Sequence, residues 1–153
     1  TILVSSAHSK GDHKQVRHTV GIALILAEAV ALLVLVGLIL GRHYLGYIFS
    51  DDPGIIAMAA LAILPMALYQ PADALQVIYS NALRGMEDVK HMALYACGVH
   101  LIIAPALCLL FGFGLGLEGG GIQLTAVWSA FPVSLLLLGV LLKRRFDHIS
   151  IPR

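Results

Sequence analysis

The sequence predicts an all-α membrane protein with four membrane-spanning helices, and three observations carry that prediction. First, 59% of its 153 residues are hydrophobic and only 12% are charged, whereas a water-soluble domain carries charge on about a quarter of its residues. Second, the apolar residues are gathered into runs at 20–41, 54–83, 92–113 and 119–142. Each run is long enough to cross roughly 30 Å of hydrocarbon at a rise of 1.5 Å per residue. Third, of the ten Lys and Arg residues all but Arg42 fall in alternate segments: residues 8–19, residues 84–91 and the stretch from Lys143 onward. The positive-inside rule makes that side cytoplasmic.

The elements follow in order. Residues 1–19 read as the end of a preceding helix plus a cytoplasmic loop, in which Gly11 suits a helix stop and Asp12 the next start. His8, His13 and His18 lie five residues apart, a spacing that scatters them around a helix and argues against a metal site. In the span at 20–41, Glu28 is the only charged side chain. Between the first two spans, Asp52 and Pro53 form a cap followed by proline at the first helical position. Asp51 and Asp52 are also candidates for making an outer mouth attractive to cations. The span at 92–113 carries His100, expected as a neutral histidine hydrogen-bonded between helices. Cys97 and Cys108 lie on that same span roughly 16 Å apart, too far to bridge, and both read as small core residues. Gly112 to Gly121 form a tight outer hairpin and lack the strand context of a dinucleotide site. The last span, 119–142, contains no charged group, and residues 143–153 read as a cytoplasmic tail opened by an anchoring Lys143-Arg144-Arg145 cluster.

The span at 54–83 is different, because Tyr69, Gln70, Pro71, Asp73 and Gln76 interrupt its second half. Asp73 lies about ten residues, or roughly 15 Å, from Arg84 at the inner boundary, which is near the bilayer midplane. A carboxylate at that depth costs about 2.5–3.5 kcal/mol even on lenient insertion scales. At about 100° per residue, Tyr69, Gln70, Gln76, Ser80 and Arg84 all fall within about 60° of Asp73. The stripe must face protein or a water-filled cavity, with Asp73 as the candidate cation-coupling residue and Tyr69, Gln70, Gln76 and Ser80 as candidates for lining the cavity. Pro65 and Pro71 release the carbonyls of Leu61 and Ala67, the device by which broken helices build midplane cation sites. Apart from a cation at Asp73, no metal site is indicated.

No HExxH, GxSxG, CxxC or P-loop lysine occurs, so an enzyme is not expected and any pumping needs an ion gradient or a separate subunit. A formal charge of +1 argues against nucleic acid as a partner.

The segment from Tyr69 to Lys90, with Asp73, Gln76, Leu83, Arg84 and Gly85 as its skeleton, resembles the tenth helix of the multidrug and toxin extrusion (MATE) transporters. Ser9-Lys10-Gly11-Asp12 with Arg17 is similar to the loop after that family's eighth helix, and Ile48 to Asp52 to the outer end of its ninth. The resemblance implies four helices from the C-terminal six-helix lobe of a twelve-helix MATE fold in a multi-pass inner-membrane protein. It implies a secondary antiporter that exports organic cations in exchange for Na⁺ or H⁺, with no other cofactor, partnered by the bilayer, by cationic small molecules and by the N-terminal lobe of the same longer chain. It carries the cation-coupling role to Asp73. A lipid-linked sugar flippase of the same superfamily and a non-transporting scaffold subunit are the alternative functions.

The charge asymmetry sets a test of orientation. In a full-length protein whose native cysteines are replaced by serine, Asp51→Cys and Glu118→Cys should react with an impermeant maleimide in intact cells. Asp12→Cys and Glu87→Cys should react only after permeabilisation. Labelling at position 87 without labelling at 51 would reverse the topology.

Overall fold

The structure is a computed structural model that describes residues 1–151. Among the described residues it contains five helices of two or more turns, a short 3-10 turn at Gly46–Ile48 and no strand. The five helices are α1 (Ile2–Ser9), α2 (His13–Leu45), α3 (Pro53–Gly85), α4 (Val89–Gly114) and α5 (Gly120–Ser150). Helices α2 to α5 are each long and apolar enough to cross a membrane, so the four expected spans are the four long helices.

Their ends differ from the apolar runs, because capping and not hydrophobicity sets where a helix starts. The carboxylate of Asp12 accepts a hydrogen bond from the Gln15 N–H at 2.8 Å, which satisfies an orphan donor of the first turn. Gly11 makes the preceding bend at φ 70°. Helix α2 therefore begins at His13, and much of the expected loop at 8–19 is helical. Asp52 caps α3 as expected, accepting from the Gly54 N–H at 2.7 Å, with Pro53 at the first helical position. At the other terminus α5 runs on through Lys143 to Ser150, where a tail was expected. A Lys143–Asp147 pair at 2.6 Å braces that extension across one helical turn. Pro152 and Arg153 of the expected tail lie outside the described residues.

Helix α4 departs twice from α geometry, with wide π turns at Val99–Ile103 and Leu110–Gly114. Pro105 explains the first. Its ring has no N–H and collides with the carbonyl four residues earlier, and a widened turn just before it relieves that collision. His100 sits in this turn, exposed and without a hydrogen bond to another helix among the described residues, contrary to the expected interhelical bond. Cys97 is exposed, not a core residue, and Cys108 is partly buried.

Helix α3 is the central element, packed on α2 along one flank and on α5 along the other, while α4 packs on α5. Gly139 permits the closest approach of α3 and α5: a Cβ there would fall 2.8 Å from Leu75 Cδ2 and 3.4 Å from the Gln76 backbone nitrogen. Small residues are the usual means of bringing membrane helices into contact. At the inner end, Gly85 does the same for α1, since a Cβ there would meet the Thr1 carbonyl at 2.9 Å. The core gathers in this inner half, where Val16, Leu83, Val99, Leu138 and Leu142 are fully buried and Tyr79 tilts against Phe146 with ring centroids 5.5 Å apart. By contrast Ile25, Leu33 and Leu40 of α2 are at least 70% exposed, as befits a helix whose solvent is lipid or further protein.

Asp88, just before α4, receives hydrogen bonds from Arg145 of α5 and from His91, both at 2.5 Å. Burial pushes the Asp88 carboxyl up, but the Arg145 and His91 hydrogen bonds and positive charges outweigh it and hold the group below its ordinary value. A carboxyl depressed in the folded state stabilises the fold above its unfolded pKa of about 3.9 and loses that contribution as pH falls through the folded value. Asp88→Asn should therefore lower the thermal midpoint of the purified full-length protein at pH 7, by the equivalent of about 1.5–3 kcal/mol for charged hydrogen bonds. The gap to the unaltered protein should begin to narrow below about pH 4 and close as pH falls through the depressed folded value. Equal midpoints at pH 7 would show that the contact holds nothing together.

Candidate functional site

Helix α3 is continuous through Pro65 and Pro71, as the single span at 54–83 requires. The prolines remove the donors for the carbonyls of Leu61 and Ala67 without interrupting the helix. Around them, Tyr69, Gln70, Asp73, Gln76 and Ser80 are all partly buried, on one face of α3. The Gln76 amide donates to the Ser80 hydroxyl at 3.2 Å. The Tyr69 phenol stands one helical turn from Asp73 on the same face.

Towards the outer end of this face, Tyr69 and Gln70 join Pro65 and Met66 of α3 and Trp128, Phe131 and Pro132 of α5 around a groove of about 430 Å³. The rings of Trp128 and Phe131 are tilted by 42° with centroids 5.4 Å apart. Asp73 lies one turn below Tyr69, so the face presents aromatic surface above and a carboxylate beneath it. Trp128 and Phe131 were missed in the sequence; their spacing of three residues on a helix, next to Pro132, is the signal that finds them.

The other flank of the α3–α5 seam holds a second cleft of about 430 Å³, into which Glu28 of α2 reaches beside Pro71 and Leu75 of α3 and Ser129 and Pro132 of α5. Glu28 and Asp73 are therefore separated by α3. Neither carboxylate forms an ion pair among the described residues. At the outer end Asp51 and Asp52 are both exposed, and Asp52 is engaged as the α3 cap.

The turn at Gly11 brings His8 and His13 together, with ring centroids 6.5 Å apart, although spacing along a single helix had separated them. No group of three side chains suited to a metal ion occurs among the described residues.

Four membrane-length helices, one of them carrying a carboxylate within a polar stripe, define a multi-pass membrane protein. The chain belongs to the MatE family, whose model matches residues 1–117. It is 28% identical over 93% of its length to "Probable multidrug resistance protein NorM" of Neisseria meningitidis serogroup B, covering 30% of that protein. It is 32% identical over 98% of its length to a protein of the same name from Bradyrhizobium diazoefficiens, covering 32% of it. To "Protein DETOXIFICATION 17" of Arabidopsis thaliana it is 32% identical over 92% of the chain and 29% of the relative. The chain thus spans about a third of the length of these curated relatives. Its helices are part of a MATE fold, and the family is one of transporters, not enzymes.

Proposed function

We propose that the chain is part of the C-terminal lobe of a secondary antiporter of the cell inner membrane, exporting organic cations or drugs in exchange for Na⁺ or H⁺. The observation that carries this reading is Asp73, a carboxylate deep in an apolar span with a polar stripe around it and no cationic partner among the described residues. A charge at that depth costs about 2.5–3.5 kcal/mol, which binding a proton or Na⁺ offsets.

Coupling follows from competition. The groove above Asp73 offers the faces of Trp128, Phe131 and Tyr69 to a flat organic cation, an attraction of about 0.5–2 kcal/mol per cation–π contact, and Asp73 supplies the counter-charge. A carboxylate holding a coupling ion no longer attracts the drug, so ion entry from one side favours drug release on that side, and alternation of two lobes makes exchange directional. Gln76 and Ser80 continue the polar face towards the inner end, and Asp51 and Asp52 concentrate cations at the outer mouth. The relatives' names, multidrug resistance proteins among them, support the substrate class. A lipid-linked sugar flippase would need Arg or Lys in its spans to hold pyrophosphate, and residues 54–83, 92–113 and 119–142 contain neither. A scaffold gains nothing from a midplane carboxylate.

In vesicles carrying the full-length protein, Asp73→Asn should reduce dye efflux driven by an imposed Na⁺ or H⁺ gradient at least tenfold at equal expression, with Asp73→Glu restoring part of the rate. Wild-type rates for Asp73→Asn would leave the carboxylate a structural group. Trp128→Ala should raise the KM for aromatic cations roughly 2- to 30-fold, the equivalent of one cation–π contact, and leave small aliphatic cations little changed.

A further inference from the structure

The cleft on the opposite flank of α3 has the makings of a site in its own right. Its walls come from three helices: Glu28 from α2, Pro71 and Leu75 from α3, and Ser129, Pro132 and Val133 from α5. Its volume of about 430 Å³ is within the range of roughly 300–1,000 Å³ typical of small-molecule pockets. Glu28 is its only charged lining group. It makes no hydrogen bond or ion pair among the described residues.

None of the three walls can supply a counter-charge. On α2 the nearest Lys or Arg residues are Arg17 and Arg42, eleven and fourteen positions away, and His18 is ten away, which puts all three roughly 15 Å or more along the helix axis. Residues 53–83 of α3 and 120–142 of α5 carry no Lys or Arg. The one other carboxylate near this depth, Asp73, is on the far side of α3 and would repel, not pair. A carboxyl group in apolar surroundings holds a proton unless a cation is delivered to it. The walls are apolar and stiffened by two prolines, so the cation that fits brings its own apolar body.

We propose that Glu28 and this cleft form a second site, separate from the Asp73 face, that takes an amphiphilic organic monocation from within the membrane. On binding, the Glu28 carboxyl releases its proton to water and the resulting carboxylate neutralises the bound cation. The apolar part of the ligand lies against Pro71, Leu75, Pro132 and Val133. Binding here does not require Asp73 to be the coupling residue.

The test is photoaffinity mapping on purified full-length protein, with an aryl azide derivative of tetraphenylphosphonium as the probe and mass spectrometry of the crosslinked peptides. Because α5 borders both cavities, the position of the crosslink reports the flank: Ser129, Val133 and Leu136 for the Glu28 cleft, Trp128 and Phe131 for the groove above Asp73. Labelling of Ser129, Val133 or Leu136 should saturate and be displaced by unlabelled tetraphenylphosphonium. It should fall at least tenfold in Glu28→Gln and should not fall in Asp73→Asn. Val133→Phe, which fills the cleft and keeps the carboxylate, should also abolish it. Unchanged labelling in Glu28→Gln would overturn the proposal. So would no labelling of these residues in the unaltered protein, the result expected if a basic side chain or a lipid already fills the cleft. Loss of ion-driven efflux in Asp73→Asn bears on the coupling reading alone.

Discussion

Hydrocarbon offers no partner to a polar group, and this constraint governs the structure from the backbone upward. Every span is helical because only a helix satisfies its own N–H and C=O groups in lipid. Side-chain hydroxyls and amides obey the same rule. In α5, Thr125, Ser129 and Ser134 donate to the carbonyls of Gly121, Thr125 and Phe131 at 2.7, 2.8 and 2.9 Å. Gln123 reaches across to the Gly112 carbonyl at 2.7 Å and ties the start of α5 to the end of α4. In α3, Asn81 returns to the Val77 carbonyl at 2.9 Å. Asp73 and Glu28 stand out against this background because each is a carboxylate within an apolar span that forms no ion pair among the described residues.

The α3–α5 seam turns those two groups into sites. Gly139 lets the helices close to the point where Leu75 and the Gln76 backbone touch α5. Pro71 and Pro132 then stiffen the seam where it opens on each side. The aromatic groove and the Glu28 cleft are the two flanks of one contact, and both use Pro132 as a wall. A substitution that spreads this seam would deform both cavities at once.

The spans were legible because their signal is length and apolarity, and the Asp73 stripe because a polar residue in such a run is costly enough to be conspicuous. Helix ends were less legible. Gly11 and Asp12 did signal the His13 start, although 8–19 as a whole read as a loop, and the continuation to Ser150 is braced by Lys143 pairing with Asp147, which is no hydrophobic signal. The π turns of α4 depend on how a helix yields to Pro105, and that response has no composition of its own. Trp128 and Phe131 were hidden for the opposite reason: in an apolar run an aromatic pair looks like any other lipid-facing surface until a second helix places Tyr69 and Gln70 beside it. The Asp88–Arg145–His91 contact joins residues more than fifty positions apart, which no local pattern announces.

The position of the two carboxylates on opposite flanks of one helix has an energetic consequence. The lining of the Glu28 cleft sets that group alongside α3 from Leu68 to Leu75, the stretch that also carries Asp73. They are thus separated mainly by the width of a helix, on the order of 10 Å. Two unit charges at that separation repel by about 1–2 kcal/mol at an effective dielectric constant near 20. That is too little to prevent both from ionising but enough to change an affinity by roughly tenfold. Neutralising either group, by a proton, Na⁺ or an organic cation, lifts that repulsion and makes ionisation of the other easier. On the proposed readings the two flanks of α3 take different ligands, and the repulsion links how readily the two carboxyl groups give up a proton, with no movement of the helix required.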